Sequence, residues 1–135
     1  MNVRNRKYRY YQKSPGMMIQ YDDFCIGTDG NLYTLHGSEW IERIAENYIC
    51  SEFVGLFDAN GVPIYEYDIL SHGKGEKGVV EYHANATTFG LMDRSGPIPR
   101  LTFIPFGGMT VNVIGNIFEN ADLVEIYMNP HPELY

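Results

Sequence analysis

Gly55–Leu70 has the sequence GLFDANGVPIYEYDIL, in which turn-forming residues interrupt short apolar runs. Asp58 and Gly61 fit the first and fourth positions of a tight turn. Asp accepts hydrogen bonds from backbone N–H groups, and Gly adopts the left-handed conformation without steric cost. The stretch therefore predicts a β-hairpin in which Glu52–Phe57 pairs with Val62–Tyr65.

Short apolar or aromatic segments, separated by Gly, Pro, Asp and Asn, also occupy the rest of the chain. Aromatic residues make up 14% of the sequence, and they favour the pleated surface of a sheet. Strands are predicted at 8–11, 17–21, 24–26, 32–34, 68–70, 79–83, 87–92, 101–106 and 109–114, with 24–26 paired to 32–34 and 79–83 paired to 87–92. Their close spacing after residue 52 predicts a small β-barrel.

Ser38–Tyr48 is the segment whose apolar residues recur with helical spacing, and Ser38 would be its N-cap. The apolar stripe consists of Trp40, Ile41, Ile44, Ala45 and Tyr48. We therefore predict a mainly β protein with a hairpin and short-helix subdomain over residues 1–51 and a small barrel over residues 52–135.

The net charge of −7 is unevenly distributed along the 135 residues. Residues 1–13 carry five basic and no acidic side chains, so the remaining 122 residues carry −12. An acidic body repels the phosphate backbone, and we therefore do not expect it to bind nucleic acid. The basic start is either a solvated terminus or, less commonly, a nucleic-acid-binding arm.

The cellular setting is indicated by what the sequence lacks. No apolar run approaches the ~18 residues that span a bilayer, and the basic start is not followed by the apolar region of a signal peptide. Cys25 and Cys50 are too few and too distant to indicate a disulfide framework. We expect a soluble, cytoplasmic protein.

The spacing of the glycine, lysine and histidine residues does not indicate a metal site or a phosphate-binding loop. Gly73–Gly78 has no Ser or Thr after its lysine and precedes a predicted strand, so it differs from a phosphate-binding loop. The histidines lack the spacing of metal ligands. They are His36, His72, His83 and His131. We predict no metal and no cofactor.

Catalytic residues are also not predicted. Ser71 and His72 are neighbours on a strand and would point to opposite faces. Glu66 and Asp68 would share one strand face, as paired acid and base carboxylates do, but Asp68 equally fits a turn cap before the next strand, which we favour. The eleven tyrosines could bind sugars, bases or proline-rich peptides, or fill the core.

A second block, Val113–Asn120, has the sequence VIGNIFEN. Together the two blocks resemble the YopX-like family of phage and prophage proteins. The matching residues that we single out are Gly55, Leu56, Asp58, Asn60, Gly61, Ile64, Tyr65, Glu66, Asp68, Ile69, Gly115, Asn116, Glu119 and Asn120. Tyr67 stands where the family usually has Gly, so it must avoid positive φ or accept strain.

The resemblance implies a phage- or prophage-encoded protein with a C-terminal SH3-like barrel and an N-terminal subdomain that drives oligomerisation. It implies no catalytic residues, and the motif positions have a structural interpretation as turns and strand ends. We therefore predict a non-enzymatic accessory protein that acts as a protein-interaction module. The alternative is an acidic decoy that occupies a nucleic-acid-binding protein of the host.

The N-terminal half contains more apolar surface than a hairpin and a short helix can cover. Soluble monomers mostly avoid such a patch, so we predict a homo-oligomer assembled through this half. The interface residues would be Tyr8, Tyr10, Met17, Trp40, Ile41, Ile44 and Tyr48. In the alternative, the stripe folds back onto the barrel of its own chain.

Overall fold

The computed structural model describes residues 8–19, 24–26, 29, 31–43, 45–73, 75–103 and 110–128. The protein is mainly β, as predicted. The strands are β1 Tyr8–Gln12, β2 Met17–Ile19, β3 Phe24–Ile26, β4 Leu32–His36, β5 Glu39–Arg43, β6 Tyr48–Phe57, β7 Pro63–Tyr65, β8 Asp68–His72, β9 Glu76–His83, β10 Thr88–Asp93, β11 Arg100–Phe103 and β12 Val111–Asn116. Two short 3₁₀ turns cover Ala45–Asn47 and Ala121–Leu123.

Two compact units divide the chain, and the first comprises Met1–Glu52. In this unit β1 pairs antiparallel with β2 on one side and with the start of β6 on the other. A separate three-stranded antiparallel sheet has the order β3-β4-β5. The predicted hairpin of residues 24–26 and 32–34 is confirmed.

The predicted helix over Ser38–Tyr48 is wrong. Glu39–Arg43 instead forms β5, which pairs with β4 in register from Leu32↔Arg43 to His36↔Glu39. Gly37 has a φ of 63° and lies in the turn that joins the two strands. The two-residue turn explains the outcome, since glycine permits the positive φ that tight hairpins require. Only Ala45–Asn47 is helical, as a single 3₁₀ turn.

The second unit, Phe53–Tyr135, is built on a curled, half-barrel sheet of five antiparallel strands. The strand order is β11-β10-β9-β8-β12. The end of β6 forms the predicted hairpin with β7, and the predicted pairing of β9 with β10 is also confirmed. The buried core consists of Ile64, Leu70, Val80 and Leu91, with Val54, Leu56, Phe89, Val111 and Val113 packed against it.

The other face of the curled sheet is covered by the chain that follows β12. Ile69, Val79 and Met92 are cross-strand neighbours, so their side chains share one face. Ile69 is fully buried. Residues 117 and 121–126 line a groove together with Val79 and Met92, and we call this C-terminal segment the strap. No helix in the described ranges has the length and apolar character needed to cross a membrane.

Candidate functional site

Asp58 organises the turn between β6 and β7 and is itself buried. Its Oδ1 accepts hydrogen bonds from the backbone N–H of Asn60 and of Val62, each at 2.8 Å. Its Oδ2 accepts the N–H of Val113 on β12 at 3.0 Å. Burial raises the pKa of Asp58, but the three backbone donors outweigh it and hold the pKa below its ordinary value of 3.8.

The same turn closes the outer edge of β12. The backbone N–H of Ala59 donates to the carbonyl of Val111 at 3.0 Å, beside the bond from Val113 to Asp58. Two backbone groups that a strand edge would otherwise leave unpaired are therefore satisfied by the turn. Asn60 adds a side-chain bond to Asn112 at 3.3 Å.

Asp68 stabilises the next turn, between β7 and β8. Its side chain is almost fully buried, and Oδ2 accepts the backbone N–H of Tyr65 at 2.8 Å. Glu66 lies in the turn, outside both strands, so the predicted shared strand face of Glu66 and Asp68 does not exist. Asp68 takes the turn-capping role.

Tyr67 adopts the positive φ that its place in the motif demands, at 71°. Its N–H donates to the carbonyl of Val80, and its carbonyl accepts the N–H of Ile117 at 3.0 Å. The ring packs edge-on against Phe118, with 5.5 Å between centroids. These contacts on both sides hold the residue in a conformation that costs a non-glycine residue about 1 kcal/mol or more.

Asn116 ends β12 and supports the turn after it. Its Oδ1 accepts the N–H groups of Phe118 and Glu119, and its Nδ2 donates to Glu119 Oε1 at 2.9 Å. Asn120 Oδ1 accepts the N–H of Asn116. A Cβ on Gly115 would lie 2.5 Å from Asn120 Oδ1, so this close approach requires glycine.

The remaining motif residues supply turns, packing and backbone curvature. Gly61 takes a φ of 80° at the end of the Asp58 turn, and Gly55 lies where the pairing of β6 with β7 is irregular. Ile64 and Ile69 are fully buried. Leu56 packs on the core, and Tyr65 contacts the ring of Phe53.

The groove under the strap is the candidate binding site of the second unit. Its volume is about 830 Å³, within the usual range of ligand pockets. One wall is the sheet face that carries Val79, Glu81 and Met92, and the other is the strap. Lys77 Nζ donates to the carbonyl of Leu123 at 3.1 Å, and the N–H of Tyr127 donates to the carbonyl of Arg94 at 2.7 Å. The strap is therefore held at two places.

Every cation that lines the groove already has a partner. Arg94 makes a two-pronged ion pair with Glu81, one contact of which is 2.7 Å. Its hydrogen bond to Glu81 raises the pKa of Arg94. Arg100 pairs with Asp93 at 2.8 Å. The hydroxyl of Ser95, followed by its backbone N–H and Arg100, lowers the pKa of Asp93 against the opposing effect of burial.

The strap also brings two carboxylates to the groove, those of Asp122 and Glu125. No hydrogen bond or ion pair joins either side chain to another described residue. Glu76 lies at the same groove, 3.6 Å from His72 Nδ1. These three carboxylates outnumber the ammonium of Lys77, whose partner is an uncharged carbonyl, so the unneutralised charge of the groove is negative.

The residues predicted to form an oligomer interface are not brought together as one stripe. Tyr10 is buried, while Tyr8 and Tyr48 are half-buried on β1 and β6. Met17, Trp40 and Ile41 are exposed. Trp40 and Ile41 are neighbours on β5, so they point to opposite faces of the sheet. Ile44 lies outside the described residues.

The residues of the groove were not identified from the sequence. The predicted pairing of 79–83 with 87–92 brings together the two strands that carry Val79, Glu81 and Met92, but it does not indicate that this face lines a groove. Nothing in the sequence indicates that residues 117–126 return over this face. Within the described part of the chain, no three His, Cys, Asp or Glu side chains form a group able to hold a metal ion.

Comparisons with known proteins agree with the two-block motif. None of the curated proteins compared with the chain matches it. Among solved structures, protein yopX from Bacillus subtilis matches with a TM-score of 0.59 and 20% identity over 87% of this chain and 97% of that one. Protein EF1440 from Enterococcus faecalis gives a TM-score of 0.48 and 22% identity over 90% of this chain and 99% of that one. The sequence profile of the family described as YopX protein matches residues 7–125, and the chain belongs to this family.

Proposed function

We propose that the chain is a non-enzymatic accessory protein of a phage or prophage that acts as a protein-interaction module. In this proposal the second unit is an SH3-like small barrel, and its groove binds an extended segment of a partner protein. The observation that carries it is the charge balance of the groove: each lining cation has a partner, whereas Asp122 and Glu125 have none among the described residues.

The chemistry of the groove favours a partner segment that is both basic and apolar. Met92, Val124 and Ile126 supply apolar surface that is still accessible, and burying it would provide the main driving force for binding. Lys or Arg side chains of the partner would then pair with Asp122 and Glu125 at the rim. Paired rim charges contribute to orientation and association rate more than to affinity.

The non-enzymatic part of the proposal is supported by the use of the acidic motif residues. Asp58 and Asp68 are buried and accept backbone N–H groups. Such bonds stabilise a carboxylate as an acceptor and compete with proton transfer to a substrate. Turnover in a panel of hydrolase and transferase substrates that disappears in Glu66→Gln or Asp68→Asn would refute this part.

Selection from a random peptide library on the immobilised protein tests the groove. We expect enriched peptides that combine apolar residues with Lys or Arg, and binding that weakens at least tenfold in Asp122→Lys/Glu125→Lys. Glu46→Lys is the control for a charge reversal outside the groove, to be compared with Asp122→Lys and Glu125→Lys singly, because Glu46 is an exposed acid of the first unit, and it should leave binding unchanged. Enrichment that is indifferent to the groove substitutions would contradict the proposal.

The acidic decoy is the second candidate, favoured by the −12 charge of residues 14–135. A decoy should recover basic DNA- or RNA-binding proteins from a bacterial lysate and lose them as salt rises, because exposed charges are screened. A module that binds through the groove should retain its partner at 0.5 M salt, since its apolar contacts are not screened. Deleting residues 1–7, which precede β1, should affect neither outcome.

A further inference from the structure

β5 presents an unusually open strand edge in the first unit. Among the described residues it pairs only with β4, so one of its edges has no neighbour. Both of its faces are also exposed: Trp40 is 50% exposed on one and Ile41 is 39% exposed on the other. An edge strand with large apolar residues is a template for pairing with another strand.

The hairpin turn determines which backbone groups of β5 face outward. Gly37 and Ser38 form a two-residue turn, so His36 and Glu39, which flank it, form a hydrogen-bonded pair. Hydrogen-bonded and non-hydrogen-bonded pairs alternate along an antiparallel ladder. The N–H and C=O groups of Trp40 and Glu42 therefore point away from β4, towards the open edge.

This alternation restricts how a second copy of β5 could pair antiparallel with the first. Outward-facing residues must lie opposite outward-facing residues, so the two-fold axis passes through Trp40, Ile41 or Glu42. An axis through Glu42 would place two glutamates directly opposite, which is unfavourable. An axis through Trp40 would leave Arg43 opposite Gly37, beyond the partner strand. An axis through Ile41 pairs all five residues of the strand.

Pairing about Ile41 also matches the charges of β5. Glu39 of one copy lies opposite Arg43 of the other, and the symmetry repeats the pair at both ends. Ile41 meets its own counterpart on the same face, and Trp40 lies opposite Glu42 on the other face. Opposite charges and apolar pairs across two strands each favour association. The sequence EWIER is therefore complementary to itself in one antiparallel register.

We propose that the chain forms a homodimer by antiparallel pairing of β5 with β5 of a second copy, centred on Ile41. The two three-stranded sheets then join into one six-stranded sheet, and the open edge is satisfied without any further partner. This proposal is independent of the groove in the second unit, so it stands or falls separately from the proposed function.

Charge exchange at Glu39 and Arg43 tests the register. Light scattering after size exclusion should give twice the chain mass of 15.4 kDa for the unaltered protein at tens of micromolar. Glu39→Arg alone places Arg against Arg43 of the other copy, and Arg43→Glu alone places Glu against Glu39. Each should weaken the dimer by about tenfold to a hundredfold.

Recovery of the dimer when the two substitutions are combined makes the test independent of any harm that a single substitution does to folding. An equimolar mixture of the Glu39→Arg and Arg43→Glu chains has opposite charges at both ends of the strand pair, so it should form heterodimers. The double variant Glu39→Arg/Arg43→Glu should form homodimers again. Loss in both single variants without recovery in either combination would overturn the proposed register.

Removal of one outward N–H tests the pairing itself. Glu42→Pro deletes a donor that faces the open edge and leaves the bonds between β4 and β5 in place, so the protein should become monomeric with its β circular dichroism intact. Glu42→Gln is the control, because it keeps the N–H and an oxygen that accepts the bond from Asn31 Nδ2, 2.6 Å long in the native chain. It should remain dimeric. A monomeric native protein, or a dimer that survives Glu42→Pro, would refute the proposal.

Discussion

The edges of β12 and β5 are managed in opposite ways. At β12 the Asp58 turn supplies an acceptor and a donor to Val113 and Val111, so the edge is closed from within the chain. At β5 nothing in the described part of the chain pairs with the outer edge, and Trp40 lies half in solvent. A buried carboxylate marks the first edge, and a short strand with two apolar residues between charged ones marks the second.

The two edges use the polar groups of the chain in different ways. The acceptor oxygens of Asp58 are used on three backbone donors within its own unit, whereas the charges of Glu39 and Arg43 lie at the two ends of an open strand. Substitutions at the closed edge should therefore change stability, and substitutions at the open edge should change association.

The largest effect is expected from Asp58→Ala. It leaves the N–H groups of Asn60, Val62 and Val113 without their acceptor, and unsatisfied, partly buried donors are costly. We expect the free energy of unfolding to fall by about 3 kcal/mol, measured by urea denaturation. Asp122→Ala removes an exposed carboxylate and should change stability by less than about 0.5 kcal/mol. Similar losses in both variants would contradict the role given to Asp58.

A smaller loss is expected when the bend at the end of β12 is crowded. Gly115→Ala introduces a Cβ that would meet Asn120 side-chain atoms at 2.5–2.9 Å, so β12 or the following turn must shift. We expect a loss of about 2 kcal/mol. Gly96→Ala is the matched control, because a Cβ there meets open space. The prediction fails if the two variants unfold at the same urea concentration.

Protonation of Asp58 at acid pH should lower the free energy of unfolding by less than Asp58→Ala or Gly115→Ala does. A protonated Asp58 still offers an oxygen to the backbone donors. The pKa of Asp58 is lowered in the folded protein from its ordinary value of 3.8, so its stabilising contribution is fully present above that value. It is lost as pH falls through the lower, folded value. Urea midpoints of the native protein and of Asp58→Asn should therefore converge below about pH 4. A gap that stays constant down to pH 2.5 would show that Asp58 does not titrate in this way.

The smallest effect on stability is expected at the open edge. Trp40→Lys places a charge on a half-exposed position of β5, and the aliphatic stem of lysine keeps part of the packing of the ring, so the free energy of unfolding should change by no more than about 0.5 kcal/mol. Self-association should nevertheless weaken, because an edge lysine opposes strand pairing. Denaturation and light scattering on the same samples would reveal the difference. A large loss of stability with unchanged association would contradict the claim that the open edge of β5 serves association and not stability.

The sequence was informative where the deciding interactions are local. Asp58, Gly61 and the flanking apolar residues define the β6–β7 hairpin within fourteen positions, so turn chemistry was sufficient to predict it. At residues 39–43 the apolar pattern was compatible with both helix and strand. The Gly37-Ser38 turn decided in favour of the strand, although Ser38 also fitted a helix N-cap.

The groove depends on contacts that no local pattern encodes. Lys77 reaches the carbonyl of Leu123 across 46 positions, and the strap has neither regular secondary structure beyond one 3₁₀ turn nor a periodic apolar pattern. Arg94 and Glu81 are brought together only by the curled sheet and the β9–β10 pairing. The positive φ of Tyr67 was one of two alternatives that the sequence left open, and neighbouring contacts determined which was adopted.

The closure of β12 has a consequence for biosynthesis. Asp58 and Val113 are 55 positions apart, so at typical rates the ribosome needs roughly three to eleven seconds to make the second after the first. Until Val111–Asn116 emerges, β8 lacks the strand that pairs with it on one side, and the Asp58 turn has nothing to close. During this interval the nascent chain exposes an incomplete sheet near the tunnel exit, with one edge of β8 unpaired. Chaperones, or contacts with neighbouring nascent chains, would act on that edge.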